Sequence, residues 1–307
     1  MKLELATAPG TYRWYYVDVS NGEWSAVAIF MLGSLFSPRF VRSNQALPLR
    51  HAAVNFALYR RGVRQAWVLS EYPHAELRES AGASTLVIGG SSFTRREDGV
   101  VSVRVSDRAP WWRRPVEAEL NVTPEVDAAD GVTLVPGLSH RWFPYAVRAQ
   151  GRVQAGPVAF DGRAYHDGNA GECALGGDLA GWSWVRTHGA RQTTVAYQPR
   201  EGAGWAVSTE GAKTLVRAVP GAVVESRTTR WGLSVPRALG ARLLESSPFY
   251  ARFEAGGGDE LMLGEAADFA RFRSPFVRWM ADFRTRVVAA PVEEARLPAA
   301  AAVEVTR

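Results

Sequence analysis

The sequence predicts an all-β protein, and three observations support that class. Its 29 glycines and 17 prolines are spread along 307 residues and break the apolar sequence into short runs, as in proteins with many turns. Within these runs, apolar and polar residues alternate or form brief buried stretches, which is typical of β-strands. Asn21-Gly22 and Asp98-Gly99 favour tight hairpin turns. A hydrophobic content of 47% is ample for a buried core, and we expect two modest domains.

The first half of the chain is predicted to be a meander or sandwich of antiparallel strands. The predicted strands are 13–19, 25–32, 53–59, 65–69, 85–88, 100–105 and 116–120.

The second half of the chain is also predicted to form β-strands, which are shorter. Runs at 183–186, 193–197, 205–208, 215–218, 223–228, 242–244, 250–254 and 260–263 give eight short strands, which fit a small closed barrel without exposed edges. Residues 271–286 are predicted to hold a short helix that packs Phe276, Trp279 and Phe283. The Ala/Pro/Glu-rich tail from Val287 is predicted to be flexible.

The number of cysteines and the lengths of the apolar runs indicate the cellular compartment. A single cysteine, Cys173, excludes an internal disulfide framework and is compatible with a reducing cytoplasm. Its position beside the Asp motif raises the question of a nucleophile, but a lone cysteine more often behaves as a small buried hydrophobe. The N-terminus shows no signal-peptide pattern, and the most apolar run, residues 24–36, is too short to cross a bilayer. We therefore expect a cytoplasmic protein.

The net charge of +5 comes almost entirely from arginine, because Lys2 and Lys213 are the only lysines. The arginines are dispersed among the predicted strands and turns rather than clustered in a stripe, so we expect no nucleic-acid partner. A solvated surface is the simpler interpretation. The alternative is that arginines hold the protein peripherally against anionic headgroups on the inner face of the membrane.

The sequence lacks the common catalytic signatures. It has no phosphate-binding loop, no Gly-x-Gly-x-x-Gly fingerprint, no Gly-x-Ser-x-Gly elbow and no His-Glu-x-x-His pair. The five histidines lie far apart, and only His166-Asp167 places one beside a carboxylate. Adjacent residues of an extended chain point to opposite faces, so we expect neither a metal site nor a cofactor.

The most informative segment is Tyr165-His166-Asp167-Gly168-Asn169-Ala170-Gly171, which we predict to lie in a turn, followed by Trp182-Ser183-Trp184. It resembles the Tyr-x-Asp-x-Asn-x-Gly segment and the following Trp-x-Trp of the acyclic carotenoid 1,2-hydratase (hydroxyneurosporene synthase) family. Further segments that recur in that family in the same order cover most of the chain: Trp14-Tyr15-Tyr16-Val17-Asp18, Gly33-Ser34-Leu35-Phe36-Ser37-Pro38, Asn55-Phe56-Ala57-Leu58-Tyr59, His140-Arg141-Trp142, Pro248-Phe249-Tyr250-Ala251-Arg252 and Arg271-Phe272-Arg273-Ser274-Pro275.

The resemblance implies a lipocalin-like barrel joined to a second β domain, in agreement with the strand pattern. We expect residues 1–178 to form the domain that carries the Asp motif, residues 179–286 the lipocalin-like barrel and residues 287–307 the flexible tail. The junction near Asp178 would place Asp167 close to an interdomain cleft, where ligand pockets are common.

The resemblance also implies the site residues. On extended strands, His140 shares a face with Trp142, and Tyr165 shares one with Asp167. These four positions match the family's functional residues, with Asp167 as the catalytic acid. Trp182, Trp184 and Asn169 are expected to bind substrate, with His51 as a weaker candidate for the same pocket.

Elementary chemistry supports an acid at Asp167. Hydration of an isolated trisubstituted alkene needs a proton on carbon, giving a tertiary cation that water captures. A carboxylic acid is neutral near pH 7 only if burial raises its pKa from about 3.9. Tyr and Trp walls supply that burial and attract the cation by about 0.5 to 2 kcal/mol per ring. His140 is expected to orient the acid or to hold and deprotonate the water.

Structural explanations compete with each of these assignments. An Asp before Gly and Asn is often only a turn residue, while Tyr165 and Trp142 suit a core and His140 suits a structural role. Three function classes follow: a cofactor-independent hydratase of the terminal C=C of an acyclic carotenoid, a cyclase or isomerase of a polyene, terpenoid or polyketide, and a non-catalytic carrier of an apolar ligand.

Overall fold

The computed structural model describes residues 2–134, 140–172, 175, 179–200, 202–211, 213–219, 226–236, 241–257 and 260–289. Cys173 and the predicted junction at Asp178 lie outside these ranges. No helix in the described part of the chain is long and apolar enough to span a membrane.

The first sheet has 13 strands, antiparallel except for the last. Its strands are β1 (Tyr12–Ser20), β2 (Trp24–Leu32), β3 (Ala52–Arg60), β4 (Val63–Tyr72), β5 (Glu76–Ser80), β6 (Ala83–Ile88), β7 (Ser91–Arg96), β8 (Val101–Arg108), β9 (Pro115–Pro124), β10 (Val132–Thr133), β11 (Arg141–Ala155), β12 (Val158–Gly171) and β22 (Arg286–Val287). The sheet order is β22-β4-β3-β2-β1-β12-β11-β9-β8-β7-β6-β5, and β10 pairs with β11.

The second sheet has seven antiparallel strands in the order β16-β15-β14-β13-β21-β20-β19. The second half of the chain contains β13 (Gly181–His188), β14 (Thr193–Pro199), β15 (Gly204–Glu210), β16 (Lys213–Val219), β17 (Ser226–Thr228), β18 (Ser234–Pro236), β19 (Arg242–Ser246), β20 (Tyr250–Gly257) and β21 (Glu260–Asp268). Strands β17 and β18 form a separate hairpin, so the strand predicted at 223–228 does not join the main sheet in its described part. The edge strands β16 and β19 do not pair with each other within the described residues, so the sheet does not close there.

Both faces of β1, β2 and β3 are buried, because one face packs inside the curled half of the sheet and the other meets the second sheet. Strands β8 and β9 instead alternate buried residues with more exposed ones. Alternate residues of β1 separate the two cores. Tyr15, Val17 and Val19 pack with Phe93 and other residues of the curled half. Tyr12, Trp14 and Tyr16 face the second sheet, where they join a core that includes Trp182, Trp184 and Leu263. The predicted all-β class with two antiparallel units is confirmed.

The predicted helix forms, but the predicted packing of its aromatics is wrong. A short helix α1 (Pro38–Val41) lies early in the chain, and a 3-10 turn (Phe269–Arg273) leads into α2 (Pro275–Arg284). Phe276, Trp279 and Phe283 are 51%, 58% and 56% exposed, whereas Val277 and Ala281 are buried. The small residues of α2 therefore face the core, and its aromatics face outward.

Two further expectations need correction. The segment from Tyr165 to Gly171 is not a turn, because it lies in β12 and pairs with β1 on one side. Its other neighbour is β11, so ladder bonds from both sides hold Gly168 and Asn169 extended despite their turn propensity. Val287, assigned to the tail, lies in β22, which pairs with β4.

Candidate active site

A small cavity of about 20 Å³ lies between the two sheets. This volume has room for about one water, so a larger ligand would have to displace the side chains of its walls. Strands of both sheets contribute its walls: the lining residues are Trp14, Tyr16, Ile29, Leu35, Asp167, Asn169, Trp182, Trp184, Tyr197, Tyr250 and Glu265. Most of them are aromatic, and two are carboxylic acids.

Asp167 is held in this wall by two hydrogen bonds to a single carboxyl oxygen. It lies on β12 opposite Tyr16 of β1 and is 4% exposed. The indole Nε1 of Trp142 and the hydroxyl of Tyr165 each donate to Oδ2 at 2.8 Å. Because Oδ2 accepts both bonds, the proton of the neutral acid is left to Oδ1.

The environment keeps this acid protonated near neutrality. Burial raises the pKa of Asp167 to about 7, against the opposing effect of the bonds from Tyr165 and Trp142. The negative charges of Glu265 and Asp18 contribute to the same increase. Asp167 is therefore a proton donor below about pH 7 and a carboxylate above it.

The two-residue period of β12 separates the site from the outer core. Tyr165 and Asn169 share the face of Asp167, with Tyr165 buried against Trp184 at a ring distance of 5.2 Å. His166 points the other way: its Nδ1 donates to the Tyr16 carbonyl oxygen at 2.8 Å, and burial lowers its pKa to about 3. His166 is therefore a structural residue of the outer core.

Two glycines of β12 allow aromatic rings to approach the strand closely. A Cβ on Gly171 would lie 2.2 Å from the Tyr12 ring, and one on Gly168 would lie 2.7 Å from the Tyr145 ring. The glycines of the motif thus serve close packing in a strand. The lack of a side chain at Gly171 lets the Tyr12 ring lie against the strand, where its hydroxyl group forms a hydrogen bond with Nδ1 of His140.

His140 lies beside the cavity but makes no hydrogen bond to Asp167 among the described residues. Its ring packs against Tyr12 at 5.6 Å and Trp14 at 5.8 Å. Burial lowers the pKa of His140 to about 3, so the ring is neutral at pH 7. It can position its neighbours by hydrogen bonding, but it is too weak a base to take a proton from water at that pH.

The expected substrate-binding residues are brought together with one exception. Trp182, Trp184 and Asn169 line the cavity. His51 does not: it ends a 3-10 turn, its Nδ1 pairs with Glu71 at 2.9 Å, and its ring packs on Phe40. Its assignment to the pocket is corrected accordingly, because a buried glutamate holds it elsewhere.

The second carboxylate of the cavity, Glu265 on β21, was not predicted from the sequence. Arg252 on β20 pairs with it, its Nε donating to Oε1 at 2.9 Å, and also donates to the Tyr250 hydroxyl at 2.8 Å. These residues come from strands remote in sequence from the Asp motif. The available signal was an Arg and a Glu within two otherwise apolar runs, since buried charges are normally paired.

Three further polar atoms of the wall are available to a water or ligand. The hydroxyl of Tyr197, Nε1 of Trp184 and Oδ1 of Asn169 are buried and have no hydrogen-bond partner among the described residues. Within those residues, no group of three or more His, Cys, Asp or Glu side chains is arranged to hold a metal ion.

Comparison with known proteins identifies the family. Residues 28–289 match the family model described as carotenoid hydratase CrtC. The chain belongs to this family. Among curated carotenoid hydratases, the acyclic carotenoid 1,2-hydratase of Thiocapsa roseopersicina is 29% identical over 92% of this chain and 75% of the relative. The enzyme of the same name from Rubrivivax gelatinosus is 30% identical over 84% of this chain and 67% of the relative.

Solved structures share the fold of this carotenoid hydratase family member. An AttH protein from Nitrosomonas europaea aligns with a TM-score of 0.52 and 12% identity, covering 88% of this chain and 98% of the other. Kievitone hydratase from Nectria haematococca aligns with a TM-score of 0.51 and 10% identity, covering 87% and 92%. At such identities the likeness establishes the fold alone.

Proposed function

We propose that the protein hydrates the terminal isolated C=C of an acyclic carotenoid, with Asp167 as the acid. The observation that carries this proposal is a buried carboxyl group, with a pKa raised to about 7, in the wall of an aromatic cavity. The family match and the relatives named acyclic carotenoid 1,2-hydratase support the substrate class. The partner is accordingly an apolar polyene.

The reaction needs only a proton and a water. The Oδ1–H bond of Asp167 breaks as the π electrons of the alkene form a C–H bond at the less substituted carbon. The positive charge then rests on the tertiary carbon, where the water oxygen adds. The resulting oxonium loses a proton to the Asp167 carboxylate, which restores the neutral acid for the next cycle.

Different residues of the cavity would stabilise the cation and bind the water. Trp182, Trp184 and Tyr197 present aromatic rings to the cation, each worth about 0.5 to 2 kcal/mol. The Glu265 carboxylate lies in the same wall, where it offsets the positive charge of the buried Arg252 that would otherwise oppose the cation. The Tyr197 hydroxyl and the Asn169 amide oxygen are suited to hold the water.

Trp142→Phe should lower turnover about tenfold and move the alkaline limit of activity to higher pH. The indole bond stabilises the ionised form of Asp167, so its loss raises the pKa of that group further and makes it a weaker acid. The pH profile of kcat/KM measures the shift. Phenylalanine is preferable to alanine because Trp142 is fully buried, and truncation would cost about 3 to 5 kcal/mol of unfolding free energy. An unchanged profile would make Trp142 purely a packing residue.

Activity should survive exhaustive chelation and dialysis, because the proposed acid, water site and cation supports all belong to the chain. The measurement is turnover before and after treatment, with divalent metals added back to separate samples. Activity that is lost on chelation and restored by one metal would contradict the acid mechanism.

Incubation of the purified protein with neurosporene or lycopene in detergent tests the function itself. Mass analysis should show a product heavier than its substrate by one water. A product of unchanged mass but altered structure would favour a cyclase or isomerase. Stoichiometric binding without conversion would favour a carrier. For a substrate of this kind we also propose a cytoplasmic protein in peripheral contact with the membrane.

A further inference from the structure

The outward face of α2 forms part of an aromatic patch, defined by Trp111, Trp112, Phe276, Trp279 and Phe283. Trp112 is 80% exposed and Trp111 is 42% exposed. Ring centroids lie 6.1 Å apart for Phe276–Trp279, 5.6 Å for Trp279–Phe283 and 5.7 Å for Trp111–Phe283. Four of the rings thus form a continuous chain of contacts, and Trp112 follows Trp111 at the same tip, which gives an exposed apolar surface of a kind that soluble monomers rarely expose without use.

The two elements of the patch are fixed to each other. Trp111 and Trp112 lie at the tip of the β8–β9 connection, where Arg113 adopts a φ of 52°. The Trp111 indole Nε1 donates to the Phe283 carbonyl oxygen of α2 at 3.0 Å. A non-glycine residue with a positive φ costs free energy, and here it holds two tryptophans at the surface beside α2. This arrangement favours a functional role for the surface.

The charge around the patch is positive. Arg108, Arg113, Arg114 and Arg273 are exposed, and none of them forms a salt bridge within the described residues. Asp282, the acidic residue of α2, is itself paired with an arginine: its Oδ1 lies 3.9 Å from Nη2 of Arg39, which also contacts Glu71. Tryptophan and arginine together are the composition of segments that lie at a bilayer surface.

We propose that the aromatic patch docks the protein on an anionic membrane surface. Rings that contact one another form an apolar face suited to acyl chains, and the unpaired arginines complement anionic headgroups. The inference goes beyond the proposed reaction, since docking requires only this surface. It would also place the cavity near lipid: Phe269, in the 3-10 turn before α2, contacts Trp182 of the cavity wall at 5.2 Å.

Vesicle co-sedimentation of the full chain tests the proposal. Vesicles of phosphatidylcholine with phosphatidylglycerol should bind the protein, and binding should weaken at high salt and in pure phosphatidylcholine. Trp112→Ser combined with Trp279→Ser should weaken binding at least about tenfold. Arg113→Gln should weaken binding to anionic vesicles about fivefold. Leu215→Ser on β16, another exposed apolar position, is the matched control and should change nothing.

The outcomes separate docking from catalysis. The patch variants should retain turnover of detergent-solubilised substrate, and an inactive protein that still binds anionic vesicles through the patch would leave the docking proposal intact. Absence of vesicle binding, or equal binding by the patch variants, would overturn it. So would dimerisation in sedimentation velocity that the same substitutions abolish, because a second copy would then cover the patch.

Discussion

Asp167→Asn is expected to reduce hydration by about 100- to 10,000-fold, the range that general acid catalysis contributes. The amide keeps the shape of the carboxyl group, and its oxygen can still accept the bonds from Trp142 and Tyr165. It has no acidic proton to donate to carbon. The measurement is kcat with a solubilised carotenoid, together with a binding assay that should change little. Retention of more than about a tenth of the activity, a barrier change below about 1.4 kcal/mol, would remove Asp167 from the acid role.

The same substitution should stabilise the protein at alkaline pH. The folded pKa of Asp167 is about 7 against an ordinary value of 3.8, so the folded state binds this proton more tightly than the unfolded state. Wild-type stability therefore falls as pH rises from about 4 to 7, whereas the variant has no such group. Above pH 7 the variant should gain up to about 4 kcal/mol of unfolding free energy, and below pH 4 the difference should vanish.

A second buried aspartate provides the matched control. Asp107 is paired with Arg286 and is remote from the cavity lining. Asp107→Asn should lower stability while turnover per folded molecule stays near wild type. If both variants lose activity in proportion to their loss of folded protein, the special role of Asp167 is contradicted.

Glu265→Gln is expected to reduce turnover by about 100-fold, because it leaves the positive charge of the buried Arg252 unbalanced beside the developing cation. It should also shift the alkaline limit of activity to lower pH, since the charge of Glu265 raises the pKa of Asp167. This shift is opposite to that expected for Trp142→Phe. The measurements are kcat and the pH profile of kcat/KM for both variants.

Glu254→Gln controls for the loss of the charge of a buried glutamate that is paired with an arginine. Glu254 lies on β20, is buried, and pairs with Arg242 at 2.7 Å, but it does not line the cavity. Removal of one partner of a buried pair costs about 3 to 5 kcal/mol, a range that applies to Glu265→Gln. Glu254→Gln should be destabilised less, because its partner Arg242 is 47% exposed. Only Glu265→Gln should change the pH profile. A shared loss of stability with unchanged profiles would reduce Glu265 to a structural residue.

The alternation of apolar and polar residues along the chain was sufficient to predict much of the fold and one face of the site. Alternation correctly separated Tyr165 and Asp167 from His166, because a two-residue period holds wherever a strand is paired on both sides. The same alternation runs through the buried and exposed residues of 147–155, where long strand β11 could have been predicted. Strands β5 and β7 were missed because one is mostly exposed and the other polar, so neither carries a strong apolar signal.

The rest of the site depended on contacts between distant segments. Glu265 reaches the cavity because β21 lies beside β13, a pairing that no local motif encodes. His51 was misplaced because its partner, Glu71, lies 20 residues away in a neighbouring strand. The helix at 275–284 was predicted from its apolar residues, but which of them face inward was decided by packing, and the small residues Val277 and Ala281 were buried instead of the aromatics.

The most direct test of the central claim is the position of deuterium in product formed in heavy water. If Asp167 delivers a solvent-derived proton to the less substituted alkene carbon, the product should carry one carbon-bound deuterium next to the new tertiary alcohol. NMR and mass analysis of the purified product locate it. A hydrated product without carbon-bound deuterium would contradict protonation by Asp167 and exclude the mechanism proposed for this cavity.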